Sequence, residues 1–143
     1  MGTVAYLAPE LVSENEADPR SDLFSVGIML FEMLTGHTPF EDLSVYQTVK
    51  AHAEKDIPAP SELEPWIPTE VDEFVCSLAA RERSDRPRSS HDALEQLVRI
   101  RSQLPESLLE RRADVAPVAD SQATDRIKLR GETVALPVTA NKS

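Results

Sequence analysis

The sequence predicts an all-α chain, and three observations carry the prediction. Leu23–Leu34 is almost continuously large and apolar and does not alternate. Three later segments repeat apolar residues at three- and four-residue spacing, the mark of amphipathic helices. No segment reads as a strand able to stand without a partner edge; residues 133–138 (TVALPV) would pair only if an edge were supplied.

The run from Ser21 to Gly36 organises the rest. Leu23, Phe24, Val26, Ile28, Met29, Leu30, Phe31, Met33 and Leu34 do not keep to one stripe, which predicts a central helix covered on every side. Ser21 or Asp22 supplies its N-cap, and Gly36 takes the left-handed stop. About a dozen residues make about 18 Å of helix, too short to span a bilayer, and Glu32 inside the run also argues against lipid.

The remaining elements follow in order. Pro9 opens a short helix within MGTVAYLAPELV, and the polar stretch Val12–Pro19 reads as a surface loop. His37–Leu43 is a turn anchored in the core by Phe40. In Ser44–Lys55, Val45, Val49 and Ala53 share one face of an amphipathic helix. Asp56–Pro68 holds four prolines and reads as an extended loop, with Trp66 as its packing anchor. Thr69 caps a helix with Asp72 three residues on, and Val71, Phe74, Val75, Leu78 and Ala79 form its buried stripe. Cys76 beside that stripe reads as a small buried side chain rather than a reactive thiol. Arg81–Arg88 is a polar turn. Ser89 or Ser90 then caps a last helix whose aligned residues are Ala93, Leu94, Leu97, Val98 and Arg101. Pro105 ends it or starts a short extension through Arg112, and from Ala113 periodicity fades, so 1–104 reads as the folded part and 105–143 as a mostly disordered tail.

Composition narrows the functional classes. With 25 acidic against 15 basic residues the formal charge is −10, which disfavours nucleic acid as a partner, because phosphate binding needs clustered Lys and Arg. A single cysteine excludes an internal disulfide and fits a cytoplasmic location. No signal peptide or membrane-spanning segment is visible. His37, His52 and His91 lack metal-ligand spacing, and no serine sits in a nucleophile elbow.

Three stretches in fixed order carry a family resemblance. Gly2-Thr3-x-x-Tyr6-x-Ala8-Pro9-Glu10 resembles the end of a protein kinase activation segment with its A-P-E triplet. Asp22-Leu-Phe-Ser25-Val-Gly27, running on to Leu34-Thr35-Gly36 and Pro39-Phe40, resembles the kinase helix F. Asp85-Arg86-Pro87 resembles the arginine turn before the last helix. Together, with about ten and about sixty residues between them, they are similar to the C-terminal part of a eukaryotic-type serine/threonine kinase domain of bacterial style, over roughly residues 1–103.

The resemblance implies a partial C-lobe, from the activation-segment end through helices F to I. It implies that Thr3 and Tyr6 belong to the loop that receives the substrate segment, and that Glu10 and Arg86 form a buried ion pair. It implies that Ala8 and Pro9 are structural, that Asp22 accepts backbone N–H groups of the catalytic loop, and that Gly27 lets two backbones approach. Ser44–Lys55 would be helix G, a docking surface. The complete family domain uses ATP and Mg²⁺, but the glycine-rich loop, the strand lysine, the His-Arg-Asp and the Asp-Phe-Gly that hold them precede A-P-E and are not found in these 143 residues. The expected cofactor content is therefore none, and no catalytic residue is assigned.

The function expected from this resemblance is a fragment of a serine/threonine kinase that carries the substrate-docking half and is inactive alone. Its partners would be a protein substrate or the missing kinase half. Met1 stands where the family has an ordinary internal residue, so a truncated, split or mis-started frame is expected. The alternatives are a non-catalytic helical docking module and a non-functional gene fragment. A half-domain also implies poor stability in isolation, with Asp22 and the aromatic face near Phe24 left uncovered.

Overall fold

The computed structural model describes residues 3–13 and 18–110, with the backbone alone at Thr3, Leu109 and Glu110. Residues 111–143, including 133–138, which read as a strand only if a partner edge were supplied, lie outside the described residues, as do Met1, Gly2 and residues 14–17. Helices account for the regular structure among the described residues, and no strand occurs there. By contact the chain divides into two units, Met1–Leu104 and Pro105–Ser143.

Within the first unit a 3-10 turn, Thr3–Tyr6, leads into α1, Pro9–Ser13. The long helix α2 spans Pro19–Thr35, 17 residues and so about 26 Å. It starts earlier than Ser21. Asp18 is the N-cap, its carboxylate accepting the Arg20 amide at 2.8 Å, and Pro19 takes the first helical position, where its missing N–H costs nothing. The stretch Val12–Pro19 thus ends as a helix start. Gly36 closes α2 at φ 80°, returning its N–H to the Glu32 carbonyl.

The expectation that α2 is covered on every side is not met. Leu23, Phe24, Ile28 and Phe31 are buried, worth about 1.5–3 kcal/mol each. Val26, Met29 and Met33 are exposed, the last at 75%, and they share one face with the exposed Asp22. An apolar run shows that a helix is greasy. It does not show that every side has found a neighbour.

The helix α3, Val45–Glu54, opens on a reciprocal cap: the Gln47 amide bonds to Ser44 Oγ, and the Ser44 amide to Gln47 Oε1. Its buried residues are Thr48, Ala51 and His52, rather than the Val45–Val49–Ala53 face. Polar side chains line the inner face because each has a bond there. Thr48 Oγ1 donates to the Ser44 carbonyl at 3.0 Å, and His52 meets the Leu7 carbonyl.

The proline-rich stretch is not wholly extended, since it contains α4, Pro60–Leu63. Trp66 is exposed there, its indole N–H donating to Glu64 at 2.9 Å, while the neighbouring Ile67 takes the core position expected of Trp66. The helix α5, Thr69–Leu78, buries Phe74, Val75 and Leu78, with Ala79 just beyond its end. Its N-cap is Pro68; Asp72 reaches back instead to accept the Ser61 amide at 2.9 Å.

A 3-10 turn at Arg83–Asp85 precedes α6, Ser90–Gln103, which Ser89 caps through the Asp92 amide. Ala93 and Ile100 turn α6 toward Leu23, Leu30, Phe74 and Leu78, and this rotation leaves Leu94, Leu97 and Val98 exposed, contrary to the expected face. In the second unit, α7 covers Glu106–Glu110. No helix among the described residues is long and apolar enough to cross a membrane.

Two clusters make the core of the first unit. Ala8, Phe24, Ile28, Phe31, Ile57, Val75 and Ala79 form one, and Leu23, Phe74, Leu78 and Ala93 the other. The α2 helix contributes to both and meets α4, α5, α6 and the first 3-10 turn. Cys76 is half-buried on α5, and burial, with the nearby Asp72, Glu62 and Asp56 carboxylates, pushes its thiol up to about 11. Thiolate is the reacting form, so a disulfide reagent at pH 8 is expected to label Cys76 far more slowly than a free thiol; labelling at the free-thiol rate would contradict this.

Candidate functional site

Glu10 stands in the first turn of α1 and is 5% exposed; Arg86, on the turn before α6, is 3% exposed. They are 76 positions apart and meet fork to fork, with Arg86 Nη1 at 2.6 Å from Glu10 Oε1 and Nη2 at 2.9 Å from Oε2. A guanidinium carries five N–H donors, and each finds an acceptor. Beyond the two carboxylate bonds, Nε donates to the Ala80 carbonyl at 2.8 Å, Nη1 to Arg20 at 3.0 Å and Nη2 to Arg81 at 3.1 Å. The guanidinium carbon lies 5.0 Å from the Phe24 ring centroid.

On the carboxylate side, Ser21 Oγ donates to Glu10 Oε1 at 2.7 Å, which is what that side chain does in place of capping α2. Burial alone would raise the Glu10 pKa. Hydrogen bonds from Arg86 and Ser21, the local backbone and the Arg86 charge outweigh it and bring the group down to about 2.

The latch holds the start of the chain against α2 and α3. Tyr6 is gripped twice by α2: its hydroxyl donates to Glu32 Oε2, and its carbonyl accepts from Ser25 Oγ at 2.7 Å. The Glu32 carboxylate, aided by burial, raises the phenol above its ordinary value. Leu7 offers its carbonyl to His52 Nδ1 at 3.3 Å. Ala8 is fully buried in the first core cluster and Pro9 begins α1. Thr3 lies on the 3-10 turn; its side chain is outside the described residues.

Two further residues sit on α2. Gly27 is buried where a Cβ would lie 2.8 Å from the Ala79 nitrogen, so it is the point of closest approach to the end of α5. Asp22 is exposed, and its carboxylate has no hydrogen-bond partner among the described residues. Of the two liabilities expected of a half-domain, the uncovered aromatic face near Phe24 is not found, since Phe24 is 1% exposed and the exposed apolar residues of α2 are instead Val26, Met29 and Met33. Asp22 is uncovered but lies in solvent, and no buried side-chain nitrogen or oxygen lacks a partner among the described residues.

Two members of this site are not found from sequence spacing. Glu32 shows only as a lone charge inside an apolar helix, and His52 only as a polar residue beside an amphipathic stripe. Each becomes informative once its partner, 26 or 45 positions away, is placed beside it. Among the described residues no group of three or more His, Cys, Asp or Glu side chains is placed to hold a metal ion, and the glycine with positive φ stands at a helix end. No phosphate or magnesium step is assigned to them.

Residues 1–98 match the protein kinase domain family. The chain is 43% identical over 86 residues to the serine/threonine-protein kinase PknL of Mycobacterium tuberculosis, covering 60% of this chain and 22% of that protein. It is 36% identical over 118 residues to the probable serine/threonine-protein kinase pknA2 of Bifidobacterium longum, covering 82% and 16%. To the serine/threonine-protein kinase PknB of Mycobacterium leprae it is 31% identical over 105 residues, covering 73% and 17%. It therefore spans about a fifth of the length of the curated relatives it matches. With the A-P-E carboxylate locked onto the arginine of Asp-Arg-Pro and the family match running from residue 1 to residue 98, this chain belongs to the protein kinase family and holds part of a bacterial-type serine/threonine kinase domain.

Proposed function

We propose that this chain supplies the substrate-docking half of a serine/threonine protein kinase, a partial C-lobe that takes part in moving the γ-phosphate of ATP to protein serine or threonine. The parts that hold ATP and Mg²⁺ and accept the hydroxyl proton would come from other kinase polypeptide, on a longer chain or on a second one. The single observation that carries this reading is the Glu10–Arg86 latch, because it fixes Tyr6–Ala8 against α2 and α3 as a formed surface rather than a loose leader. The exposed face of α2 supports it as well. Asp22 and Val26, Met29 and Met33 offer an acidic foot and an apolar bed of the kind that a catalytic loop and its helix would cover.

The test is phosphoryl transfer from labelled ATP to a generic protein acceptor, by this chain alone, by an ATP-binding half of a serine/threonine kinase alone, and by both together. Transfer is expected only from the pair. Transfer by this chain alone, or a pair that assembles and stays inert, would overturn the proposal. A related expectation concerns the bare α2 face: the isolated chain should self-associate, and replacing Met29 and Met33 by lysine should suppress this in light scattering. Equal scattering from both would show that the face is not the sticky one.

A second reading is a docking module without catalysis. It is favoured by the outer face of α3, where Tyr46 is 77% exposed and Val45 is also exposed. A partner recovered with the chain and lost when Tyr46 and Lys50 are changed to alanine would support it.

A further inference from the structure

On the reading that residues 3–8 form the loop against which the acceptor segment of a substrate lies, we propose that His52 is the positioning residue of that loop, fixing the Leu7 carbonyl, and with it Tyr6 and Ala8, from inside the core.

His52 is 2% exposed on α3 and stands where four segments meet. Its ring lies edge-on to Phe24 of α2, centroids 5.1 Å apart, and tilted against Phe40 at 5.5 Å. Its Nδ1 lies 3.3 Å from the Leu7 carbonyl. A carbonyl can only accept, so Nδ1 carries the proton, and the neutral ring holds one defined tautomer. Burial also holds His52 below its ordinary 6.5, favouring that neutral form. The Arg86 guanidinium already occupies the neighbourhood of Phe24, so a second cation beside the same ring is disfavoured.

The bond matters because of where Leu7 lies. The 3-10 turn ends at Tyr6 and α1 begins at Pro9, so Leu7 and Ala8 belong to neither helix. Pro9 has no N–H with which to brace them. Ser25 and Glu32 hold Tyr6 from α2. His52 is the side chain that holds the next residue from α3. The helices α2 and α3 thus grip the adjacent residues Tyr6 and Leu7, and the histidine is the grip from α3.

The experiment is amide hydrogen exchange on the full chain, comparing the native protein with His52→Phe and His52→Asn. Phenylalanine keeps a ring between Phe24 and Phe40 but has no donor, whereas asparagine keeps a donor close to the Nδ1 position. His52→Phe is expected to speed exchange at residues 6–8 roughly five- to tenfold, the effect of one lost hydrogen bond, with Val75 and Leu78 on α5 unchanged. His52→Asn is expected to restore much of the protection at residues 6–8. Equal acceleration in α5 and in the loop, or no acceleration at residues 6–8, or an asparagine variant that behaves like phenylalanine, would each assign His52 to packing alone. On the native chain, imidazole nitrogen shifts should report the Nδ1–H tautomer, and the Nε2–H tautomer would overturn the assignment without any variant. None of these readouts needs phosphoryl transfer. A failed transfer assay with the exchange pattern intact would sink the docking-half reading and leave the histidine in place.

Discussion

Replacing Arg86 with alanine is expected to lower the unfolding free energy by about 3–5 kcal/mol, a large share of what a domain of this size has. The loss has a specific source. Removing the guanidinium strands the Glu10 carboxylate in a site where it is 5% exposed and leaves the Ala80, Arg20 and Arg81 carbonyls without the donors they now have. Lysine is expected to rescue little, because one ammonium with three donors cannot serve five acceptors arranged around a flat fork. Urea unfolding followed by helical circular dichroism measures the effect, and an alanine variant within about 1 kcal/mol of the native chain would show that the latch contributes no more than a surface pair.

The pH dependence separates this account from simple loss of packing. The Glu10 pKa in the folded chain, about 2, lies below its ordinary 4.5. The folded value being the lower one, the stability contributed by the pair is fully present above pH 4.5 and is lost as pH falls through about 2. In Arg86→Ala the sign reverses. Burial then acts on Glu10 without its counter-ion, the carboxyl prefers its proton, and mild acid should recover part of the lost stability. An alanine variant that weakens steadily on acidification would contradict the ion-pair account.

The elements that rest on local chemistry were legible in the sequence. Gly36 ends α2 because the left-handed conformation suits glycine, Ser89 caps α6, and the stripe Val71, Phe74, Val75, Leu78 and Ala79 does face inward. The start of α2 was missed: Asp18 and Pro19 read as the end of a surface loop and the cap as Ser21 or Asp22, whereas Asp18 caps the helix and Ser21 is drawn off by Glu10. What stayed hidden depends on partners. On α3 and α6 apolar spacing marks one face while the chain buries another. His52 and Thr48 are satisfied by distant or backbone acceptors, and Ala93 and Ile100 lie where α2 and α5 offer room. A hydrophobic pattern records what each residue would prefer alone, whereas a buried polar residue records what its neighbours can accept. The ion pair of the candidate site was reachable only through the family resemblance, and the Tyr6–Glu32 and His52–Leu7 bonds through neither route.

Gly27→Ala is expected to destabilise the chain by about 1–3 kcal/mol or more, although the same change in an open helix would stabilise it by roughly 0.5–1 kcal/mol. The sign is decided by space. A Cβ at position 27 would stand 2.8 Å from the Ala79 nitrogen and 2.9 Å from both the Ala79 and the Leu78 Cβ atoms. Two of the three obstacles are methyl or methylene carbons at the root of a side chain, and the third is backbone whose N–H is committed to the Val75 carbonyl at 3.1 Å. No side-chain rotation relieves that contact. The end of α5 must move away from α2, which opens both core clusters at once, since Ala79 belongs to one and Leu78 to the other. Ala79→Gly added to Gly27→Ala removes one carbon clash and leaves the Leu78 Cβ and backbone clashes, so partial recovery is expected in urea unfolding. Full recovery would show that the Ala79 Cβ alone sets the limit, and a Gly27→Ala chain more stable than the native one would show that the two helices are not in contact at this point.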